Sequence, residues 1–143
     1  MANTYHQVYL QADFAVKYPS TKHITFDASS YSGMINANNN SFGKAVIPSY
    51  NFDKADVIVS FGADFLGTWV SPVEYTKQYV TNRNNKSLEA KKMSRHVQFE
   101  TILSLTGTNA DSRYTHKPSQ QGLAVLALYN AIASKTGAAA VAG

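Results

Sequence analysis

The stretch Ala55-Asp-Val-Ile-Val-Ser-Phe-Gly-Ala-Asp-Phe-Leu-Gly-Thr-Trp69 decides the fold of this chain. Its apolar run stops abruptly at Gly62, and a helix is predicted to begin at Ser71-Pro-Val-Glu74. Ser as N-cap, Pro at the first helical position and Glu three residues after the Ser form a capping-box signature. A strand, a glycine loop and a helix N-terminus are the parts with which α/β proteins hold a phosphate or a nucleotide. The signal is generic, so we weigh a ligand site here against a purely structural βα unit.

The rest of the sequence predicts alternating helices and strands, which indicates a layered α/β domain with a small parallel sheet. The nearly all-apolar run at 56–61 is typical of a central strand buried on both faces. Alternation over 95–100 predicts that Val97 and Phe99 point inward. Helices are predicted at 4–18, from 29 or 30 to 38, at 72–82 and at 120–135, strands at 23–27, 56–61 and 95–100, an extended segment at 114–116, and a helical turn at 88–92 within a polar loop.

Burial and helix ends are predicted from the same patterns. The helix at 72–82 is expected to turn Val73, Thr76, Tyr79 and Val80 toward the sheet, and the very apolar helix at 120–135 is expected to be buried. The Asn-rich stretch 38–41 is expected to end the second helix before a turn at Gly43. Gly137 is the expected end of the last helix, followed by a frayed tail.

Composition excludes several classes of function. At 143 residues the chain is about one domain, with no apolar run of about 18 residues to cross a membrane and no layout typical of a secretory signal. It has no cysteine, which excludes disulfides, thiolate zinc sites and cysteine-held clusters within this chain. The four histidines are far apart and are not expected to bind metal. The net charge is +4, and one basic cluster comprises Arg83, Lys86, Lys91, Lys92 and Arg95.

That basic cluster favours a solvated loop, because no aromatic stacking motif accompanies it; a nucleic-acid patch is the weaker alternative. In open parallel sheets, ligands bind beyond the carboxyl ends of the strands. Gly62 with the following helix start suits a phosphate, whereas Asp64 would repel one. Glu100 is suited to a ribose hydroxyl, or else is merely solvated. The residues expected at this edge are Asp27, Ala28, Ser29, Gly62, Ala63, Asp64, Glu100, Ser104, Thr106 and Gly107. No nucleophile–base–acid set and no phosphate-loop or dinucleotide fingerprint is present, so these residues identify no enzyme.

Several segments together resemble the molybdopterin oxidoreductase family. Within it, they are most similar to the large iron–sulfur subunit of alternative complex III, a bacterial quinol:cytochrome c oxidoreductase. The segments are Tyr31-Ser-Gly33, Phe42-Gly-Lys44, Ile47-Pro-Ser-Tyr50, 55–69, Met93-Ser-Arg95 and Leu103-Ser-Leu-Thr-Gly-Thr-Asn-Ala-Asp111. The resemblance covers roughly residues 20–135. It implies one excised domain spanning 1–143, with a core at about 20–136 and a tail at 137–143, and a three-layer, Rossmann-like α/β fold with a small, mostly parallel sheet flanked by helices.

The resemblance also implies where a molybdopterin guanine dinucleotide would be held in the wider family. The pyrophosphate loop corresponds to Gly62-Ala-Asp-Phe65, the ribose-binding strand end to Glu100-Thr-Ile102, and the guanine-reading turn to Pro118-Ser-Gln-Gln121. Gln121 lacks the carboxylate that pairs with guanine, Ile102 lacks the family's arginine charge, and Asp64 adds a negative charge. The cofactor-binding candidates are therefore Gly62, Ala63, Asp64, Glu100, Thr106, Gly107 and Gln121, with the dinucleotide expected to be lost and no cofactor or metal expected in this chain.

What the resemblance implies for function is a non-catalytic scaffold domain of a respiratory electron-transfer complex. The expected partners are other domains of the parent chain and subunits of a membrane-bound complex on the periplasmic side of the inner membrane, with no nucleic acid and no membrane span. The alternative is a dinucleotide-binding domain of an active molybdopterin oxidoreductase. No catalytic residue is assigned under either hypothesis.

Overall fold

The computed structural model describes residues 2–24, 30–90 and 92–143. These fall into two compact units, Met1–Pro48 and Ser49–Gly143. The first unit contains two helices, α1 (Ala2–Lys17) and α2 (Ser32–Phe42). The prediction of a strand at 23–27 falls mostly on residues 25–29, as do Asp27, Ala28 and Ser29 of the expected ligand edge, and these lie outside the described residues.

Helix α2 is longer than its sequence suggested. The predicted stop at 38–41 is wrong, because the helix continues through the asparagines to Phe42. It ends at Gly43, whose φ of 66° is left-handed and whose N–H donates to the Asn39 carbonyl. Glycine takes this conformation at little steric cost, so the predicted turn at Gly43 is confirmed although the run before it was misjudged.

The second unit is a mixed helix-and-strand structure around a three-stranded parallel sheet, flanked by helices, as the α/β prediction required. The strands stand in the order β1-β2-β3, and Val59 pairs with Val97, which in turn pairs with Ser112. The elements are a 3₁₀ turn (Phe52–Lys54), β1 (Val57–Phe61), α3 (Pro72–Thr81), α4 (Asn85–Glu89), β2 (Arg95–Glu100), α5 (Leu105–Thr108), β3 (Ser112–Thr115), a 3₁₀ turn (Pro118–Gln120) and α6 (Gln121–Thr136).

One face of the sheet is covered by aromatic side chains of α3 and of the loop that precedes it. The core comprises Ile58, Phe65, Leu66, Tyr75 and Tyr79, and Phe52 stacks on Phe65 with ring centroids 4.4 Å apart. Tyr75 and Tyr79 are one helical turn apart, which places both on the same side of α3. The prediction was right for Tyr79 and wrong for Val73, Thr76 and Val80, which are exposed.

The other face of the sheet is open and largely apolar, with Arg95 and Ser112 as its polar members. We call Val57, Val59, Phe61, Val97, Phe99 and Tyr114 the open face. Val57 is 60% exposed and Val59 is 39% exposed, so the prediction that β1 is buried on both faces is wrong. The predicted inward orientation of Val97 and Phe99 is also wrong, because the buried side chains of β2 are His96, Gln98 and Glu100.

Helix ends follow local chemistry only in part. Pro72 occupies the first turn of α3 as predicted, but the Ser71 side chain makes no capping hydrogen bond, and Glu74 accepts instead from Gln78 Nε2 at 3.2 Å. Asn84 caps α4 by accepting from the Ser87 N–H at 3.0 Å.

Helix α6 ends at Gly137 as predicted, with a φ of 76°. Its predicted burial is wrong, because Ala133 is its single buried residue and Leu123 and Ile132 are more than half exposed. The tail is held by Asn130, whose side chain exchanges two 2.9 Å hydrogen bonds with the Val141 backbone. Among the described helices, none combines the length and apolar character needed to cross a membrane.

Candidate functional site

The candidate site is the carboxyl edge of the sheet, where β1 and β2 end beside α5 and the start of α6. The structure brings six of the seven predicted residues together as three pairs, which are Gly62 with Gln121, Asp64 with Thr106, and Glu100 with Gly107. Ala63 contributes its carbonyl, which accepts from Ser60 Oγ at 3.2 Å. Each pair joins residues that are distant in sequence or on different elements, so the edge is closed by the chain's own contacts.

Asp64 ties the loop after β1 to α5. Its Oδ1 accepts from both the N–H and the Oγ1 of Thr106, at 3.0 and 2.8 Å, and its Oδ2 accepts from Thr68 Oγ1 at 3.3 Å. Thr106 is fully buried and its Oγ1 also accepts from the Leu66 N–H at 2.9 Å. Burial would raise the pKa of Asp64, but the hydrogen bonds from Thr106 and Thr68 outweigh it and leave that pKa below its ordinary value. Asp64 is therefore an ionised structural acceptor.

Glu100 is the second carboxylate of the edge and is 2% exposed. Its Oε1 accepts from Arg113 Nε, and its Oε2 accepts from Ser104 Oγ at 2.6 Å. Burial would raise the pKa of Glu100, but the hydrogen bonds from Arg113 and Ser104 lower it below the ordinary value. Gly107 packs against the carboxylate so closely that a Cβ there would overlap it. These contacts leave little of the carboxylate for a ribose hydroxyl.

In the glycine loop after β1, the backbone N–H of Gly62 already donates a hydrogen bond within the protein. Gly62 has a φ of 67°, and its N–H donates to the Phe99 carbonyl at 2.7 Å. The Gln121 carboxamide covers the other side, with Oε1 3.5 Å from the place a Cβ on Gly62 would take. Phosphate loops need backbone N–H groups that point at the ligand. This loop does not present the Gly62 N–H in that way.

The residues present therefore fit a pyrophosphate poorly. Ile102, beyond the end of β2, is uncharged and 78% exposed, and Asp64 remains negative beside the loop. Gln121 lies against Gly62 rather than standing free as a hydrogen-bonding partner for a base.

An open polar cavity of about 420 Å³ lies beyond β2 and β3. His116 donates through Nδ1 to the Lys117 carbonyl at 2.9 Å, and its buried Nε2 has no hydrogen-bond partner among the residues that the structure describes. The sequence assigned no role to Arg113, His116 or Lys117, although correct bounds for β3 would have placed Arg113 in the strand and the other two directly after its end. The cavity is lined by Thr101, Thr115, His116, Lys117, Pro118 and Gln120.

One member of the basic cluster, Arg83, makes contacts within the fold. Arg83 makes a two-pronged ion pair with Asp111, at 2.8 and 2.6 Å, and its guanidinium lies 5.0 Å from the centre of the Tyr79 ring. The hydrogen bonds that Arg83 donates to Asp111, first among several causes, raise the pKa of Arg83. Arg83 therefore joins α3 to the segment before β3 and is poorly placed for a phosphate backbone.

Within the described part of the chain, no group of three or more His, Asp or Glu side chains is arranged to hold a metal ion. Comparison with known proteins adds no assignment, because no protein-family model and no curated protein matches this sequence.

Proposed function

We propose that this chain is a non-catalytic structural domain of a larger electron-transfer subunit, with a Rossmann-like frame that has lost dinucleotide binding. The observation that carries this proposal is that both carboxylates of the edge, Asp64 and Glu100, are engaged by the chain's own donors. In a binding domain such groups are free for the ligand. Here they hold α5, β3 and the loop after β1 together.

Electrostatics at the edge supports the same proposal. A phosphate oxygen placed about 4 Å from the ionised Asp64 would be repelled by about 4 kcal/mol at an effective dielectric constant of about 20. Arg113, the cation closest to Glu100, already donates its Nε to that carboxylate. The positive charge that a dianionic pyrophosphate would require is therefore already paired with a carboxylate of the protein.

The open face supports a role in assembly. Parallel sheets are normally covered on both faces, yet Val57, Val59 and Tyr114 are 60%, 39% and 54% exposed. Helix α6 also exposes apolar side chains, including Leu123 at 62%. We propose that other domains of the parent polypeptide cover these surfaces, within a membrane-bound respiratory complex on the periplasmic side of the inner membrane. The location and the complex come from the family resemblance alone.

The alternative, a domain that still binds a dinucleotide, is favoured by one observation. The polar cavity beyond β3 carries Lys117 and the unpartnered Nε2 of His116, which are groups that could meet a polar ligand. It lies on the side of the edge away from the closed Gly62 loop, so it would serve only part of a dinucleotide.

Titration with GDP, followed by calorimetry and by amide chemical shifts, separates the two functions. We expect no saturable response up to millimolar GDP, and the same null result with ADP as the matched nucleotide. Saturable GDP binding that is weakened by both Glu100→Ala and Lys117→Ala would overturn the structural proposal. Variants would first be checked for native circular dichroism, because Glu100 also holds the fold.

The assembly role has its own test. A dye that binds exposed apolar surface, such as bis-ANS, should bind the full chain, and the double substitution Val57→Thr, Val59→Thr should reduce that binding. The matched control is Val73→Thr on α3, where a valine 84% exposed lies outside the open face. Equal dye binding by the double variant and the control would argue against the open face as an association surface.

A further inference from the structure

The covered face of β2 carries a continuous row of polar side chains. His96 and Gln98 are fully buried and Glu100 is 2% exposed. His96 Nε2 lies 3.3 Å from Gln98 Oε1, and Gln98 Nε2 lies 3.4 Å from Glu100 Oε2. At the far end, the Tyr79 hydroxyl lies 3.1 Å from His96 Nδ1 and 2.9 Å from the Asn109 carbonyl. We call these four side chains, Tyr79, His96, Gln98 and Glu100, the polar row.

The direction of every hydrogen bond in the row follows from Glu100. Its carboxylate is held ionised by Arg113 and Ser104, so it only accepts hydrogen bonds. Gln98 must therefore turn its amide NH₂ toward Glu100 and its oxygen toward His96. An amide oxygen also only accepts, so the Nε2 of His96 must carry a hydrogen.

Tyr79 has one hydroxyl hydrogen and two partners. When His96 is neutral with its hydrogen on Nε2, its Nδ1 is an acceptor that competes with the Asn109 carbonyl for the single Tyr79 hydrogen, so one of the two acceptors goes without it. When His96 is protonated, Nδ1 becomes a donor to the Tyr79 oxygen. The hydroxyl hydrogen is then free to bind Asn109, and every contact in the row is satisfied at once.

We propose that the polar row is a proton switch: protonation of His96 turns the Tyr79 hydroxyl from the imidazole to the Asn109 carbonyl. The switch fastens the turn between α5 and β3 to helix α3, because Asn109 ends α5 and Tyr79 lies on α3. It therefore couples the protonation state of a core side chain to the attachment of a surface turn.

The groups that face His96 set the pH range in which the switch works. They are Tyr79 from α3, Arg83 from the segment after α3, Gln98 and Glu100 from β2, Asp111 from the turn, and the ring of Phe65 with its centroid 5.4 Å away. Arg83 and Asp111 neutralise each other as an ion pair. Burial, the largest effect, lowers the pKa of His96 below 6.5, so the neutral form prevails at neutral pH and the switch turns in acid.

The test is the pH dependence of the His96 ring ¹⁵N and Asn109 carbonyl ¹³C resonances in the labelled full chain. At pH 8 we expect the Nε2–H tautomer, and on acidification the Asn109 carbonyl should shift with the same midpoint as His96. In Tyr79→Phe the imidazole should still titrate, at a lower pH because its charged form loses an acceptor, while the Asn109 carbonyl stays still. Tyr75→Phe, which alters the other buried tyrosine of α3, should leave both titrations as in the wild type.

Glu100→Gln tests whether the ionised Glu100 carboxylate sets the direction of the hydrogen bonds in the polar row. A neutral amide at position 100 can donate as well as accept, so every hydrogen bond in the polar row can reverse its direction. The His96 hydrogen should then move to Nδ1 at pH 8. An Nδ1–H tautomer in the wild type, or an Asn109 carbonyl that does not follow His96, would overturn the proposal. These two wild-type measurements decide the question even if Glu100→Gln does not fold.

Discussion

Replacing Asp64 by alanine is expected to destabilise the fold strongly, although the residue lies in a loop that resembles a ligand site. The substitution removes the acceptor of three hydrogen bonds and leaves the Thr106 N–H, on a residue that is fully buried, without a partner. A buried donor left unpaired costs about 1–3 kcal/mol, and hydrogen bonds to a charged group are worth about 1.5–3 kcal/mol. Because Thr68 is exposed and contributes little, we expect a loss of about 3 kcal/mol in the free energy of unfolding.

Urea unfolding followed by circular dichroism measures this loss. With a slope of about 2 kcal/mol per molar urea, the midpoint of Asp64→Ala should fall by about 1.5 M. Asp64→Asn keeps an oxygen that accepts from Thr106 and should lose only about 1 kcal/mol. Asp56→Ala is the matched control, since Asp56 is an exposed aspartate at the other end of β1.

The pH dependence of the difference provides a second check. The folded-state pKa of Asp64 lies below its ordinary value, so its contribution is complete above about pH 4 and is lost as the pH falls through the folded-state pKa. The gap between wild type and Asp64→Ala should therefore narrow in acid. If Asp64→Ala loses no more unfolding free energy than Asp56→Ala at pH 7, the structural role of the Asp64 carboxylate is refuted. Asp64 would then again be a candidate for ligand contact.

Three further outcomes are expected in the same unfolding assay. Gly107→Ala should lose about 2–3 kcal/mol, because its Cβ overlaps the buried Glu100 carboxylate; an unchanged midpoint would mean that the carboxylate moves freely. Arg83→Met should lose about 2 kcal/mol, less at high salt, because it leaves Asp111 without its ion-pair partner. Between pH 7 and pH 5 the free energy of unfolding of the wild type should fall, because His96 takes up a proton at about pH 6.5 in the unfolded chain but resists protonation when buried in the fold. In His96→Gln the free energy of unfolding should depend less steeply on pH over this range. An equally steep dependence in His96→Gln would show that His96 is not the cause.

Local chemistry in the sequence was informative where a single residue determines the backbone. Gly43 and Gly137 adopt the left-handed conformation that ends their helices, and Pro72 starts α3. The bounds 95–100 of β2 were also predicted correctly. Each of these features depends on backbone sterics within a few residues, which is why the sequence alone was sufficient.

The orientation of β2 could not be predicted from the sequence. Alternation shows that Val97 and Gln98 lie on opposite faces, but not which face the rest of the protein covers. The usual preference for apolar side chains in the core pointed to Val97 and Phe99. It failed because the polar side chains hydrogen-bond to one another, to Tyr79 and to Arg113, and those partners come from distant parts of the chain.

The sequence predicted that the candidate site residues lie at the carboxyl edge of the sheet, and the structure places them there, yet the contacts that they make follow no local pattern. Asp64 and Thr106 were each expected at the carboxyl edge, but the hydrogen bonds between them join residues 42 positions apart. Read from the sequence alone, Asp64 is a negative charge facing a ligand. In the structure it accepts hydrogen bonds from a buried threonine, and its charge supports the fold.

The sheet is polar on its covered face and apolar on its open face, and this inversion bears on what the domain is built to do. Hydrogen bonds already engage the Asp64 and Glu100 carboxylates at the carboxyl edge, so a ligand that contacts these carboxylates would have to replace bonds that exist. Covering the exposed parts of Val57, Val59 and Tyr114 would gain about 1 kcal/mol each from removal of apolar surface from water. The free energy still available from burial of apolar surface therefore lies at the open face and at other exposed apolar side chains such as Leu123 of α6, and its recovery requires contact with another surface. For that reason association, more than ligand binding, is the function that the distribution of polar and apolar groups favours.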